Sequence, residues 1–169
     1  MVRLTDALKK SIAEGLDKEA QEIVVESDPV ILARAINFLY TSETRSSFAI
    51  EGERPSASRA ERFVAALEQA AEFNTGDKTS FITLQNQIVD KRFAADDWRT
   101  IQNYVGQTMR DYSEYVHFVC PKPEDVPPLM DGWMSCVRRL QDSTIDPVAA
   151  AAVMAFGFVF IHPFEDGNG

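Results

Sequence analysis

A chain of 169 residues with 45% hydrophobic positions is long enough to bury a substantial core. Its 17 Lys and Arg stand against 26 Asp and Glu, a balance of −9 that argues against tracking a nucleic-acid backbone. Two unpatterned cysteines, charges at Asp6, Lys9 and Lys10 near the N-terminus, and no bilayer-length apolar run argue against a metal knuckle, a signal peptide and a membrane anchor, and predict a cytoplasmic protein.

Leu4, Leu8, Ile12, Leu16 and Ile23 recur at helical spacing, which predicts one amphipathic first helix. Asp28-Pro29 is an N-cap followed by a first-turn proline, and the apolar face Ile31 to Leu39 predicts a second helix running to about Tyr40. In Ser46 to Gly52, Ser47 and Glu51 stand four residues apart and share one face of a short connecting helix that Gly52 can end. By themselves these residues describe a solvated glutamate.

Ala60, Phe63, Val64, Leu67, Ala70 and Phe73 predict a third long helix, and Thr79 or Ser80 can cap a fourth that carries Phe81, Leu84, Ile88 and Val89 inward. From Trp98 the texture changes. Ile101, Tyr104 and Val105, then Tyr115 to Val119, read as a β-hairpin bounded by Pro121 and Pro123, with an edge able to accept an extended peptide. A helix with Trp133, Val137 and Leu140 inward follows, and Asp146-Pro147 starts another. Val148 to Ile161 holds no charged residue, which predicts a core helix buried on all sides, with Ala149 to Ala152 and Gly157 admitting close neighbours.

That apolar helix leads into His162-Pro163-Phe164-Glu165-Asp166-Gly167-Asn168-Gly169. Proline pushes the residue before it out of the α region, so the helix should end at His162 and hold the imidazole on a rigid support. Its ordinary pKa of about 6.5 leaves a neutral fraction at pH 7, as a general base needs. Asp166 is suited to Mg²⁺, which takes one or two carboxylates and shares the rest of its shell with phosphates and water. Gly167, Asn168 and Gly169 can turn backbone N–H groups toward an anion. Phe164 reads as a packing anchor and Glu165 as solvated.

The string HPFEDGNG resembles the start of the active-site motif of the Fic (Fido) family, whose members transfer AMP from ATP to protein hydroxyls. The resemblance implies a mainly α fold, a Fic-like helical bundle with a small β-hairpin flap, incomplete at its C-terminal end. It makes His162 the general base, Asp166 the Mg²⁺ ligand, and Gly167, Asn168 and Gly169 the anion hole, with the Asn168 side chain on the α-phosphate. Ser47 to Gly52 is similar to the inhibitory motif of some Fic proteins, in which Glu51 would pair with an arginine beyond Gly169. Its implied partners are ATP and a target protein offering a Ser, Thr or Tyr hydroxyl, with a homo-oligomer left open.

On this reading residues 1–95 are an N-terminal helical region with the inhibitory motif at 47–52. Residues 96–169 are the front half of the catalytic core: hairpin 100–120, core helix 147–161 and motif 162–169. A piece ending there is expected to be inactive alone. The alternatives are a non-catalytic helical interaction module, or a Fic-fold enzyme that removes AMP or transfers another phosphate-containing group.

Overall fold

The computed structural model describes residues 3–50 and 55–168. Among the described residues seven α-helices and one hairpin follow in the order α1 Asp6–Ala13, α2 Leu16–Glu26, α3 Pro29–Ile50, α4 Ala57–Glu68, α5 Lys78–Ile88, β1 Tyr104–Thr108, β2 Glu114–Val119, α6 Val126–Gln141 and α7 Pro147–Ile161. The chain forms two compact units, Met1–Val64 and Ala65–Gly169. No helix among the described residues is long and apolar enough to cross a membrane.

In the N-terminal unit the expected single first helix is two. Gly15, at φ +68°, sits in the left-handed region between α1 and α2, where glycine ends a helix at no steric cost, although the apolar spacing runs on across it. Asp28 caps α3 as expected, accepting the Val30 N–H at 2.8 Å and the Ile31 N–H at 3.3 Å. That helix does not stop near Tyr40. It continues to Ile50, with Thr41 and Thr44 satisfying their hydroxyls on the Asn37 and Tyr40 carbonyls at 2.9 and 2.7 Å inside the helix. Ser47 therefore lies within α3, half-buried, not in a separate connecting helix. Phe48 is buried nearby, its ring 5.6 Å from that of Phe63.

In the C-terminal unit Asp77, not Thr79 or Ser80, caps α5 by accepting the Thr79 N–H at 3.1 Å. Phe81 of α5 meets Trp98, Val126, Met130 and Met134 of α6, Ile161 and Phe164 in one cluster. Burying each such large side chain contributes about 1.5–3 kcal/mol. Met130 and Met134, which the sequence pattern passed over, are the buried rungs of α6 together with Val126 and Val137.

Contrary to the expectation of burial on all sides, α7 is covered along one face. Ala150 and Ile161 are buried, whereas Val148 and Phe156 are 70% and 71% exposed within this chain. A helix apolar all round carries no periodic signal saying which face its neighbour takes. The covered face belongs to α6, whose Trp133 lies across Gly157 and donates its indole N–H to the Met154 carbonyl at 2.9 Å. A Cβ at Gly157 would stand 2.8 Å from Trp133 Cδ1. Gly157→Ala is therefore expected to destabilise the unit by about 1–3 kcal/mol of overpacking, outweighing a helix-propensity gain of up to about 1 kcal/mol. An unchanged urea midpoint followed by tryptophan fluorescence would refute this packing.

The hairpin forms where expected. Its strands are antiparallel with a bulge at His117, since Val105 pairs with Phe118 and Gly106 with Val116. Gly106 is required there, for a Cβ would stand 2.7 Å from the Tyr115 carbonyl oxygen. Phe118 leans on Phe160 of α7 with ring centroids 5.0 Å apart, the support that two strands need in water.

Candidate active site

Helix α7 ends on a residue in a costly conformation. His162 keeps the last helical bond, N–H to the Phe158 carbonyl at 2.9 Å, and then takes φ +54°, ψ +62°. Pro163 excludes the right-handed continuation, and a non-glycine residue in the left-handed region costs about 1–2 kcal/mol. Arg99 holds it there: Nε donates to the His162 carbonyl at 2.7 Å and the Arg99 backbone N–H to the Pro163 carbonyl at 2.8 Å.

The imidazole is half-buried with Nδ1 3.3 Å from the Val159 carbonyl. A carbonyl only accepts, so this contact assigns the proton to Nδ1 and leaves a lone pair on Nε2. Burial pushes the His162 pKa below its ordinary value and the Arg99 charge pushes the same way, against the Val159 carbonyl and Asp166. The ring is thereby kept neutral and able to take a proton near pH 7.

Beyond His162 the chain folds into a tight loop clipped from inside. Phe164 is 1% exposed, its ring 5.1 Å from Trp98, so it is the anchor expected of it. Asn168, 5% exposed, accepts the Phe164 N–H at 2.8 Å and donates to the Phe164 carbonyl at 2.9 Å. The side chain expected on a phosphate closes the loop in this structure. The sequence had no means of weighing that use, because an asparagine between glycines suits either task.

Asp166 is half-buried, with Oδ1 accepting the Gly167 N–H at 2.8 Å, and Glu165 is exposed. Gly167 takes φ +78°, and a Cβ on it would lie 2.5 Å from Val89 Cγ1. The loop is tied from below by Gln85, whose Nε2 donates to the Asp166 carbonyl at 3.2 Å and to the Phe93 carbonyl at 2.7 Å. From the hairpin side Asn103 Nδ2 donates to the Glu165 carbonyl at 3.3 Å.

His162, Asp166, Gly167 and Asn168 are thus brought onto one helix end and the loop after it, while Ser47 belongs to the N-terminal unit. Glu51, Gly52 and Gly169 lie outside the described residues. Arg99, Gln85 and Asn103 were missed by sequence reasoning. The one available signal was a lone arginine beside Trp98, at the point where helical texture gives way to strand. Among the described residues no three His, Cys, Asp or Glu cluster to hold a metal. A half-buried carboxylate such as Asp166 suits Mg²⁺ that arrives shared with phosphate oxygens rather than caged by protein.

A profile of the Fic/DOC family matches residues 76–169, more than half of the chain. The chain belongs to the Fic/DOC family. Its fold is similar to that of a Fic family protein from Desulfovibrio desulfuricans G20, with TM-score 0.63 at 20% identity, over 99% of this chain and 55% of that one. It is also similar to a Fic domain containing signaling protein from Bacteroides thetaiotaomicron VPI-5482, with TM-score 0.62 at 16% identity, over 87% of this chain and 64% of the other. The chain therefore spans 55% and 64% of the lengths of these two Fic proteins. Within the Fic domain, the loop after α7 carries His162, Asp166 and the left-handed Gly167.

Proposed function

We propose that the complete protein is a protein adenylyltransferase, moving AMP from ATP to a hydroxyl of a target protein. The observation that carries this reading is the loop after α7, where an imidazole with a free Nε2 lone pair shares a short turn with a half-buried carboxylate and a left-handed glycine. Nε2 takes the proton of the target hydroxyl as its oxygen attacks the α-phosphorus in line and pyrophosphate leaves. Asp166 would hold Mg²⁺, which when bound neutralises charge on the phosphates.

The turn would present the Asn168 backbone N–H to the phosphates, since the Gly167 N–H is held by Asp166 Oδ1 and the Asn168 side chain by Phe164. The hairpin would align the target chain by adding it as a strand. The direct test is transfer of label from α-labelled ATP to protein, lost when His162 is changed. A helical interaction module would bind partners with no such transfer.

Glu51 would restrain the activity by engaging an arginine of the complete motif, since a carboxylate–guanidinium pair is bidentate and geometrically exacting. Glu51→Gly in the complete protein is expected to raise label transfer about tenfold or more, as removal of one bidentate charged pair allows. A rate equal to the parent's would exclude inhibition through this residue.

A further inference from the structure

Arg99 carries a positive charge, yet it is 4% exposed and, among the described residues, its guanidinium donates to backbone carbonyls rather than to a carboxylate. Three different segments share its guanidinium. Nε donates to the His162 carbonyl at 2.7 Å, Nη1 to the Ile101 carbonyl at 2.9 Å, and Nη2 to the Pro121 carbonyl at 2.7 Å. Ile101 lies just ahead of β1 and Pro121 just beyond β2, so the planar fork spans both roots of the hairpin and reaches the helix end at once.

Burial lowers the Arg99 pKa, with Cys120 opposing, and a guanidinium stays protonated under such a shift. A buried charge satisfied by neutral carbonyls is an expensive way to gain stability alone. What it supplies that an apolar residue cannot is geometry: five donors fixed in one plane, here addressing a helix C-terminus and two strand roots. Other ties across the same junction are lighter. Gln102 Nε2 donates to the Cys120 carbonyl at 2.8 Å from an exposed position, and half-buried Asn103 reaches the Glu165 carbonyl through Nδ2 at 3.3 Å.

We propose that Arg99 is a positioning residue that locks both roots of the hairpin to the His162–Pro163 backbone, fixing the distance between the strand that presents a target hydroxyl and the imidazole that deprotonates it. This rests on reading His162 as the base and the hairpin as the guide of the target chain. Lysine at 99 keeps the charge but not the fork, so it separates the two roles.

The test compares Arg99→Lys with its parent, both complete proteins carrying Glu51→Gly, using α-labelled ATP with the protein itself as acceptor. The self-labelling rate at saturating ATP is expected to fall about 30- to 100-fold, the cost of roughly 1 Å of misplacement, while the ATP concentration for half that rate moves less than about twofold. Buried Cys120, at the root of β2, should react with a neutral thiol reagent at least about tenfold faster, with part-exposed Cys136 unchanged, since local opening at the hairpin root reaches one thiol and global unfolding reaches both.

An unchanged self-labelling rate, or equal acceleration of both cysteines, overturns the proposal. Should Arg99→Lys fail to fold, the parent decides: the Arg99 Nε–H sealed against the His162 carbonyl must give a slowly exchanging side-chain resonance, and rapid exchange overturns the clamp. If the parent transfers no label, the adenylyltransferase reading fails, and Cys120 labelling together with Nε–H exchange still decides whether Arg99 joins hairpin and helix end.

Discussion

Alanine at 162 in the complete protein is expected to reduce transfer from α-labelled ATP about 10²- to 10⁴-fold, the range that a positioned general base supplies. ATP affinity should stay within about threefold, because an interaction made mainly in the transition state leaves ground-state binding in place. Transfer unaffected by His162→Ala would remove the base from the mechanism. A matched loss of ATP affinity would assign His162 to binding instead. The pH dependence has a definite sign. Burial first, and the Arg99 charge with it, hold the His162 pKa below 6.5. In the proposed mechanism the neutral ring is the active form, so the acid limb of kcat/KM, which reports the free enzyme, should turn over below pH 6.5; an inflection above 6.5 would contradict a buried ring beside Arg99. The same shift makes the folded chain lose stability as pH falls from about 6.5 through the folded pKa, where the unfolded state binds the extra proton.

Local rules read the element starts and the motif well, since each depends on a few adjacent residues. Asp28 and Asp146 cap their helices, and Asp146 accepts the Ala149 N–H at 3.0 Å as its place before Pro147 implies. Phe164 was legible as an anchor because an aromatic between a proline and two acids has little else to do than pack. What resisted reading depends on partners distant in the chain. The covered face of α7 is chosen by α6 through Trp133, and nothing in an unbroken apolar run announces that choice. The commitment of Asn168 to Phe164 follows from how tightly the loop closes, and Arg99 joins segments up to 63 residues apart. Trp133 and Arg99 stand outside the motif, and nothing in the motif's own residues points to them.

Gly167→Ala is expected to be the most damaging single-methyl change in the loop, because two independent costs fall on one position. A Cβ there would sit 2.5 Å from Val89 Cγ1, and Val89 is itself 1% exposed and cannot retreat. The φ of +78° adds about 1–2 kcal/mol for any residue with a Cβ. The chain must then either flip the Gly167 peptide or lift the loop off α5. Either response strains the bond from Gln85 to the Asp166 carbonyl and moves the Asn168 N–H proposed to face the phosphates. ATP binding should weaken by at least about tenfold and the unfolding midpoint should fall by several degrees, as a loss of about 2 kcal/mol implies. Pairing the change with Val89→Ala separates the two costs. The double variant clears the clash but not the backbone strain, so it should regain part of the ATP affinity that Gly167→Ala alone loses. Full recovery would mean that φ at Gly167 is unimportant, and no recovery at all would mean that Val89 is not what the glycine makes room for.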